Sequence, residues 1–228
     1  MPGLNSENLI RLVSKPVKFL SRRSVEEDAE STILASAKSG KVGLLVAGDP
    51  MVATTHVDLR LRAEKNGIRT RIIHAASIAS AVAGVTGLQS YKFGRTVTIP
   101  ATQADGLPES VYAALKGNFE AGMHSLILLE IDVESGQHVT IPGAIKRLLD
   151  SSGRTKDRLI APDSLLVGLA RLAGPDMVVR ASNASNLMRM NFGQPPYCIV
   201  FPSRLHFVEA EALEVFCEAP KGLVGLTK

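Results

Sequence analysis

Tryptophan is absent from this 228-residue chain, and aromatic residues make up only 4% of it. So thin a supply does not build the stacking platform that single-stranded nucleic acid requires. Cysteine is scarce as well. Cys198 and Cys217 are the only two, too few for a disulfide framework. Each lies in an apolar run, which is where free thiols of a reducing compartment are expected. His56, His74, His124, His138 and His206 are scattered, without HExxH or CxxC spacing, so no metal site is expected. GxGxxG, GxxxxGK[ST] and GxSxG are also missing, which argues against a dinucleotide fold, a P-loop and a nucleophile-elbow hydrolase. No apolar run approaches the ~20 residues of a membrane span, and no signal-peptide pattern is seen. The expectation is a soluble, cytoplasmic protein.

What is present is ordinary globular material, 45% hydrophobic and 21% charged. The net charge of +4 is a mild bias toward acidic partners, better read as a solvated basic surface. Its densest clusters, Lys18/Arg22/Arg23 and Arg60/Arg62/Lys65, are too short to form an arm or tail.

Leu9, Ile10, Leu12 and Val13 space out a short amphipathic helix. "PVKFLS" then reads as a brief strand. Ser24 with Glu27 three residues on forms a capping-box pattern for a helix through about Lys38, stopped by Ser39-Gly40. "KVGLLVA" is a nearly continuous apolar strand of the kind found in a parallel sheet. A helix follows from Thr54-Thr55 to Asn66-Gly67, then a strand, "IRTRIIHA", and a helix, "SIASAVAGVTGL". This alternation predicts βαβ units. Gly94, Pro100, Gly106 and Pro108 then interrupt the pattern, and a domain boundary is expected near Gly94. The predicted domains are an incomplete N-terminal α/β domain, 1–94, and a C-terminal α/β substrate domain, 95–228. The second half predicts strands in "RTVTIPA", "HSLILLEID", "SLLVGLAR", "DMVVRAS" and "YCIVFP", and helices over 109–121, 141–150 and 204–219. Some strands follow one another with no helix between, so a mixed sheet is expected.

In open α/β sheets, ligands bind beyond the carboxyl ends of strands. Here those ends carry Gly48-Asp49-Pro50, His74-Ala75-Ala76-Ser77-Ile78, Leu129-Glu130 and Leu172-Ala173-Gly174, with Tyr197 at the entry to the last strand. Taken alone, Asp49 reads equally as a turn or helix-capping residue, and Ser77 as a helix cap. Pro50 fixes its own φ and biases Asp49 away from helical geometry, holding the chain in one turn.

The wording of the sequence is more specific than its periodicity. "AGDPMVATTH", "IIHAASIASAVAGVTGLQSYKFGRTVTIP", "LLVGLAR" and "FGQPPYCIVFPSRLHFVEAE" together resemble the diphthine synthase family of tetrapyrrole-methylase-like methyltransferases, in order, from about Leu4 to Pro220. The resemblance implies two α/β domains with a cofactor cleft between them, and a homodimer. It implies transfer of methyl groups from S-adenosylmethionine to the 3-amino-3-carboxypropyl group on a histidine of elongation factor 2, giving diphthine. Cofactor contacts carry over to Asp49, Val52, Ser77, Ile78, Leu129, Leu172 and Tyr197. Tyr197 stands where histidine is common, so the contact implied there is through backbone. Asp49 is then expected to accept hydrogen bonds from ribose or ammonium, with Val52, Ile78, Leu129 and Leu172 forming an apolar wall; plain core packing competes for all four. No catalytic base is implied. The family opens with a strand, a Gly-Leu-Gly-Leu loop, a helix and a second strand, none of which is read here. The expectation is a shortened chain with weakened cofactor binding. The alternative is a catalytically impaired dimeric binding or scaffold protein on the same fold.

Overall fold

The computed structural model describes residues 6–102, 106–132 and 136–224. The chain forms two compact units, Met1–Ile78 and Ala79–Lys228.

In the first unit, α1 (Ser6–Val13) confirms the N-terminal amphipathic helix. Helix α2 (Arg22–Glu26) starts one turn earlier than the Ser24–Glu27 pattern suggested. Ser21 is its N-cap, and its Oγ accepts from Ser24 N at 3.1 Å. A π-helical turn, Glu30–Leu34, leads into α3 (Ala35–Ser39), so the expected single helix is broken into three pieces. Helix α4 (His56–Lys65) ends at Asn66-Gly67 as read, with Gly67 at φ +75°. Ala29, Ile33, Leu34, Leu59 and Ala63 bury together as a small core. Arg62 ties the helices together: Nη1 reaches the Glu30 carboxylate at 2.9 Å, Nη2 donates to Glu26 O at 2.8 Å, and Nε pairs with Asp58.

The three strands expected in this unit, in "PVKFLS", "KVGLLVA" and "IRTRIIHA", are not formed. A strand is stabilised by its ladder, and among the described residues these runs pair with no neighbour. Their apolar side chains stay open as a result, Leu45 at 61% and Ile73 at 76% exposure.

The second unit is built as expected. After α5 (Ile78–Thr86), five strands form one sheet, β1 (Val97–Ile99), β2 (Ser125–Leu129), β3 (Leu165–Ala170), β4 (Val178–Asn183) and β5 (Tyr197–Phe201), in the order β1-β2-β5-β3-β4. Only β1 and β2 are parallel; every other pair is antiparallel, so the sheet is mixed. The helices are α6 (Glu109–Glu120), α7 (Ile141–Gly153), a short α8 (Ala184–Leu187) that the sequence reading missed, and α9 (Phe207–Phe216). Thr140 caps α7 by accepting from Gly143 N, and Pro142 sits in its first turn, where no donor is lost. On one face of the sheet Ile99, Ile127, Leu166, Ile199 and Phe201 bury with Leu115, Ile145 and Leu148. The residues alternating with them, Leu126, Val167, Leu169, Cys198 and Val200, are equally buried, so both faces are covered.

The units divide at Ile78, whereas punctuation alone suggested Gly94. The segment after α5 packs against α9 instead. Gln89 N donates to Glu209 at 2.9 Å, and a Cβ added at Gly87 would stand 2.4 Å from the Cβ of Ala212. Among the described residues, no helix is long and apolar enough to cross a membrane.

Candidate functional site

Gly48 takes φ +81°, which a side chain would strain, and turns the backbone into Asp49. The Asp49 side chain is 8% exposed, yet it is fully partnered in unit 1. Oδ1 accepts from Met51 N at 2.8 Å. Oδ2 meets His74 Nδ1 at 2.8 Å and accepts from Ala75 N at 3.2 Å. The Met51 N–H above all, and His74 next, hold the Asp49 carboxyl below its usual value. Asp49 thus fastens the 48–52 turn to the 74–76 segment. In this geometry the carboxylate is a structural tie.

Val52 donates its N–H to Asp49 O at 3.3 Å and is 39% exposed, so its side chain is available rather than buried in the core. Ala53 beside it adopts φ +53°. Ser77 and Ile78, both half-buried, follow the Ala75 contact directly and lead into α5. Asp49 and Val52 thus lie in one turn of unit 1, and Ser77 and Ile78 directly follow the 74–76 segment tied to it.

In unit 2 the topology gathers the other three. Strands β2 and β3 both run antiparallel to β5, so their carboxyl ends flank its start. Leu129 closes β2, Tyr197 opens β5 opposite Ala170, and Leu172 lies two residues past the end of β3. All three sit at one end of the sheet, on adjacent strands. Leu129 is 6% exposed and packs in the core. Leu172 is half-buried and lies between Arg171 and Ala173, both at positive φ, 51° and 64°. The Tyr197 hydroxyl donates to Gly193 O, and its ring leans on His138 at 5.9 Å. Burial raises the Tyr197 pKa, with the Arg171 charge opposing, so the phenol is neutral and its hydroxyl is already engaged.

Arg171 organises this end of the sheet, and the sequence reading gave it no role. It is 7% exposed. Nη1 donates to Phe192 O at 2.8 Å and to Gln194 O, Nη2 donates to Asp176 O at 2.9 Å, and Nε pairs with the Asp176 carboxylate at 2.6 Å. The peptide Pro195-Pro196 next to it is cis. His74 was likewise quoted in its motif without a function. The available signal was a histidine three residues before Ser77, but its partner Asp49 is 25 residues away, and no local pattern links the two.

Comparison with known proteins places the chain in a family. Residues 6–161 match the family described as Tetrapyrrole (Corrin/Porphyrin) Methylases. The chain is 45% identical over 212 residues to a diphthine synthase from Methanocella arvoryzae, an alignment that covers 93% of this chain and 82% of that one. It is 43% identical to a diphthine synthase from Methanosarcina barkeri, over 97% of this chain and 84% of that one. Its fold is similar to a crystal structure of diphthine synthase with a TM-score of 0.87 at 35% identity, covering 98% of this chain and 84% of that one.

Proposed function

The chain belongs to the diphthine synthase family of tetrapyrrole-type methylases, and on that premise we propose that it methylates the amine of a 3-amino-3-carboxypropyl-histidine in elongation factor 2, a step of diphthamide biosynthesis. It is a methyltransferase, and we take S-adenosylmethionine as its methyl donor.

The donor set fits that molecule. S-adenosylmethionine carries a sulfonium, a ribose, an adenine and an amino acid headgroup, and supplies a methyl group that departs from sulfur. In unit 1, Asp49 is an anion whose three donors keep it ionised, which suits a cationic partner. Val52 presents open apolar surface beside it, and Ser77 and Ile78 adjoin the same turn. In unit 2, Leu172 offers apolar surface, and the backbones of Leu129 and Tyr197 end adjacent strands where α/β sheets take ligands. Among the described residues there is no group of three or more His, Cys, Asp and Glu arranged to hold a metal.

The observation that carries the reading is the clustering of the seven family positions, four in unit 1 and three in unit 2. Asp49 and Val52 lie in the tied turn, Ser77 and Ile78 directly follow the segment it holds, and the other three share one end of the sheet. Residues held in place before the reactants arrive lower the barrier by fixing approach geometry. We take the enzyme to be a cytoplasmic homodimer.

The test is methyl incorporation from labelled S-adenosylmethionine into elongation factor 2 bearing the precursor group, alongside isothermal titration of the cofactor. Saturable binding and label on that one histidine are expected. Binding without transfer would support a scaffold role instead, and absence of binding would sink the reading.

A further inference from the structure

Methylating an amine requires a proton acceptor, because the protonated amine has no free electron pair. Of the five histidines in the chain, four are committed elsewhere or make no hydrogen bond to a carboxylate. His124 is fully buried, and its Nδ1 accepts from Ser203 N. His206 caps α9 by accepting from Val208 N. His138 leans at a tilt against the Tyr197 ring. His56 places its Nδ1 2.9 Å from Pro50 O, a neutral carbonyl.

His74 is different. Its Nδ1 lies 2.8 Å from Asp49 Oδ2, and the carboxylate is fixed in turn by Met51 N and Ala75 N. An ionised carboxylate only accepts, so the shared hydrogen sits on Nδ1 and the lone pair remains on Nε2. The Asp49 side chain is 8% exposed and the His74 side chain 70%, an arrangement of buried orienter and open imidazole. Val52 lies in the same turn as Asp49, and Ser77 and Ile78 directly follow the Ala75 contact. This is the pattern in which a carboxylate selects a tautomer and stabilises the imidazolium that forms.

We propose that His74 is the catalytic base of this enzyme, with Asp49 as its orienting partner. The inference rests on the methyl-transfer reading above. In the step, the N–H bond of the substrate ammonium breaks, its electron pair stays on the amine nitrogen, and the proton passes to Nε2 of His74. The imidazolium charge is held against Asp49 until water takes the proton. Each methyl addition needs one such deprotonation.

Two measurements test it. The first uses cofactor-free protein labelled with ¹⁵N-histidine. At pH 8 His74 is expected to carry its proton on Nδ1, with Nε2 bare; the opposite tautomer overturns the proposal. The second compares His74→Ala and His74→Gln. Methyl transfer should fall roughly 100-fold or more, the usual contribution of a general base. Affinity for S-adenosylmethionine by isothermal titration should stay within about twofold for an open side chain that is not itself a binding contact. Added imidazole should restore part of the His74→Ala rate. Full activity in both variants overturns the proposal, as does a parallel loss of cofactor affinity without imidazole rescue. No transfer by the unaltered chain overturns the methyl-transfer reading, and this inference with it.

Discussion

The Nε2 of His124 meets Oε1 of Glu209 at 3.0 Å, with both side chains fully buried. Ser203 N donates to the other ring nitrogen, so the imidazole is neutral with its proton on Nε2. Glu209 collects further donors from Gln89 N, His206 N and Lys92 Nζ, the last at 2.5 Å. The network joins the start of β2, the segment after α5 and the first turn of α9 in unit 2. It makes stability fall in acid in two stages. Burial, partly opposed by Glu209, lowers the His124 pKa. The unfolded chain therefore takes that proton first once the pH drops below about 6.5, and the contribution of His124, complete above that value, is lost as the pH falls toward the lowered folded value. Burial alone would raise the Glu209 pKa, but its donors outweigh it and hold the group at about 2. That contribution is complete above the unfolded carboxylate value of about 4.3 and is lost as the pH falls toward 2. Urea midpoints measured from pH 8 to pH 3 should show both losses. Glu209→Gln should remove the lower one, and an unaltered chain with the same acid profile as this variant would contradict the assignment.

Gly87 predicts a packing failure. It adopts φ +74°, and an added Cβ would meet Ala212 Cβ at 2.4 Å. Gly87→Ala should destabilise the protein by about 2–4 kcal/mol, combining left-handed strain with overpacking. Urea denaturation measures this directly.

Arg171 predicts an effect on the site without direct ligand contact. Arg171→Lys keeps the charge but not the planar fork that reaches Phe192 O, Gln194 O and Asp176 together. Hydrogen exchange across 191–197 should accelerate at least tenfold, and cofactor affinity should drop with it. Unchanged exchange there would show that the loop is held by other contacts.

Val52 and Leu129 separate binding from packing. Val52 is 39% exposed and Leu129 is 6% exposed. Val52→Ala should leave stability within about 0.5 kcal/mol while weakening cofactor binding severalfold. Leu129→Ala should cost roughly 2–4 kcal/mol of stability, as core leucines do. Thermal unfolding and isothermal titration on the same preparations distinguish the two effects.

Cys198 and Cys217 should be inert to thiol reagents in the native state. Both are buried, and burial pushes each thiol up to about 12, so little thiolate exists at neutral pH. Ellman's reagent should titrate both in denaturant and neither, over minutes, without it.

The sequence by itself determined most of unit 2. The apolar runs of β1 to β5 and the helices α6, α7 and α9 appear where periodicity and punctuation placed them, because each element has a strong local pattern and is buried on both sides or along one stripe. Local turns such as Gly48-Asp49-Pro50 were also legible, since they are written in adjacent residues. Tertiary structure alone decided the rest. The runs over 41–47 and 68–75 look like strands, but a ladder depends on a partner elsewhere in the chain, and no composition records whether one is met. The pairing of Asp49 with His74, the reach of Arg171 to Phe192 O and Gln194 O, and the burial of Glu209 beside His124 each join residues far apart in sequence. Such contacts depend on where the backbone returns after folding, and a linear pattern does not contain that distance.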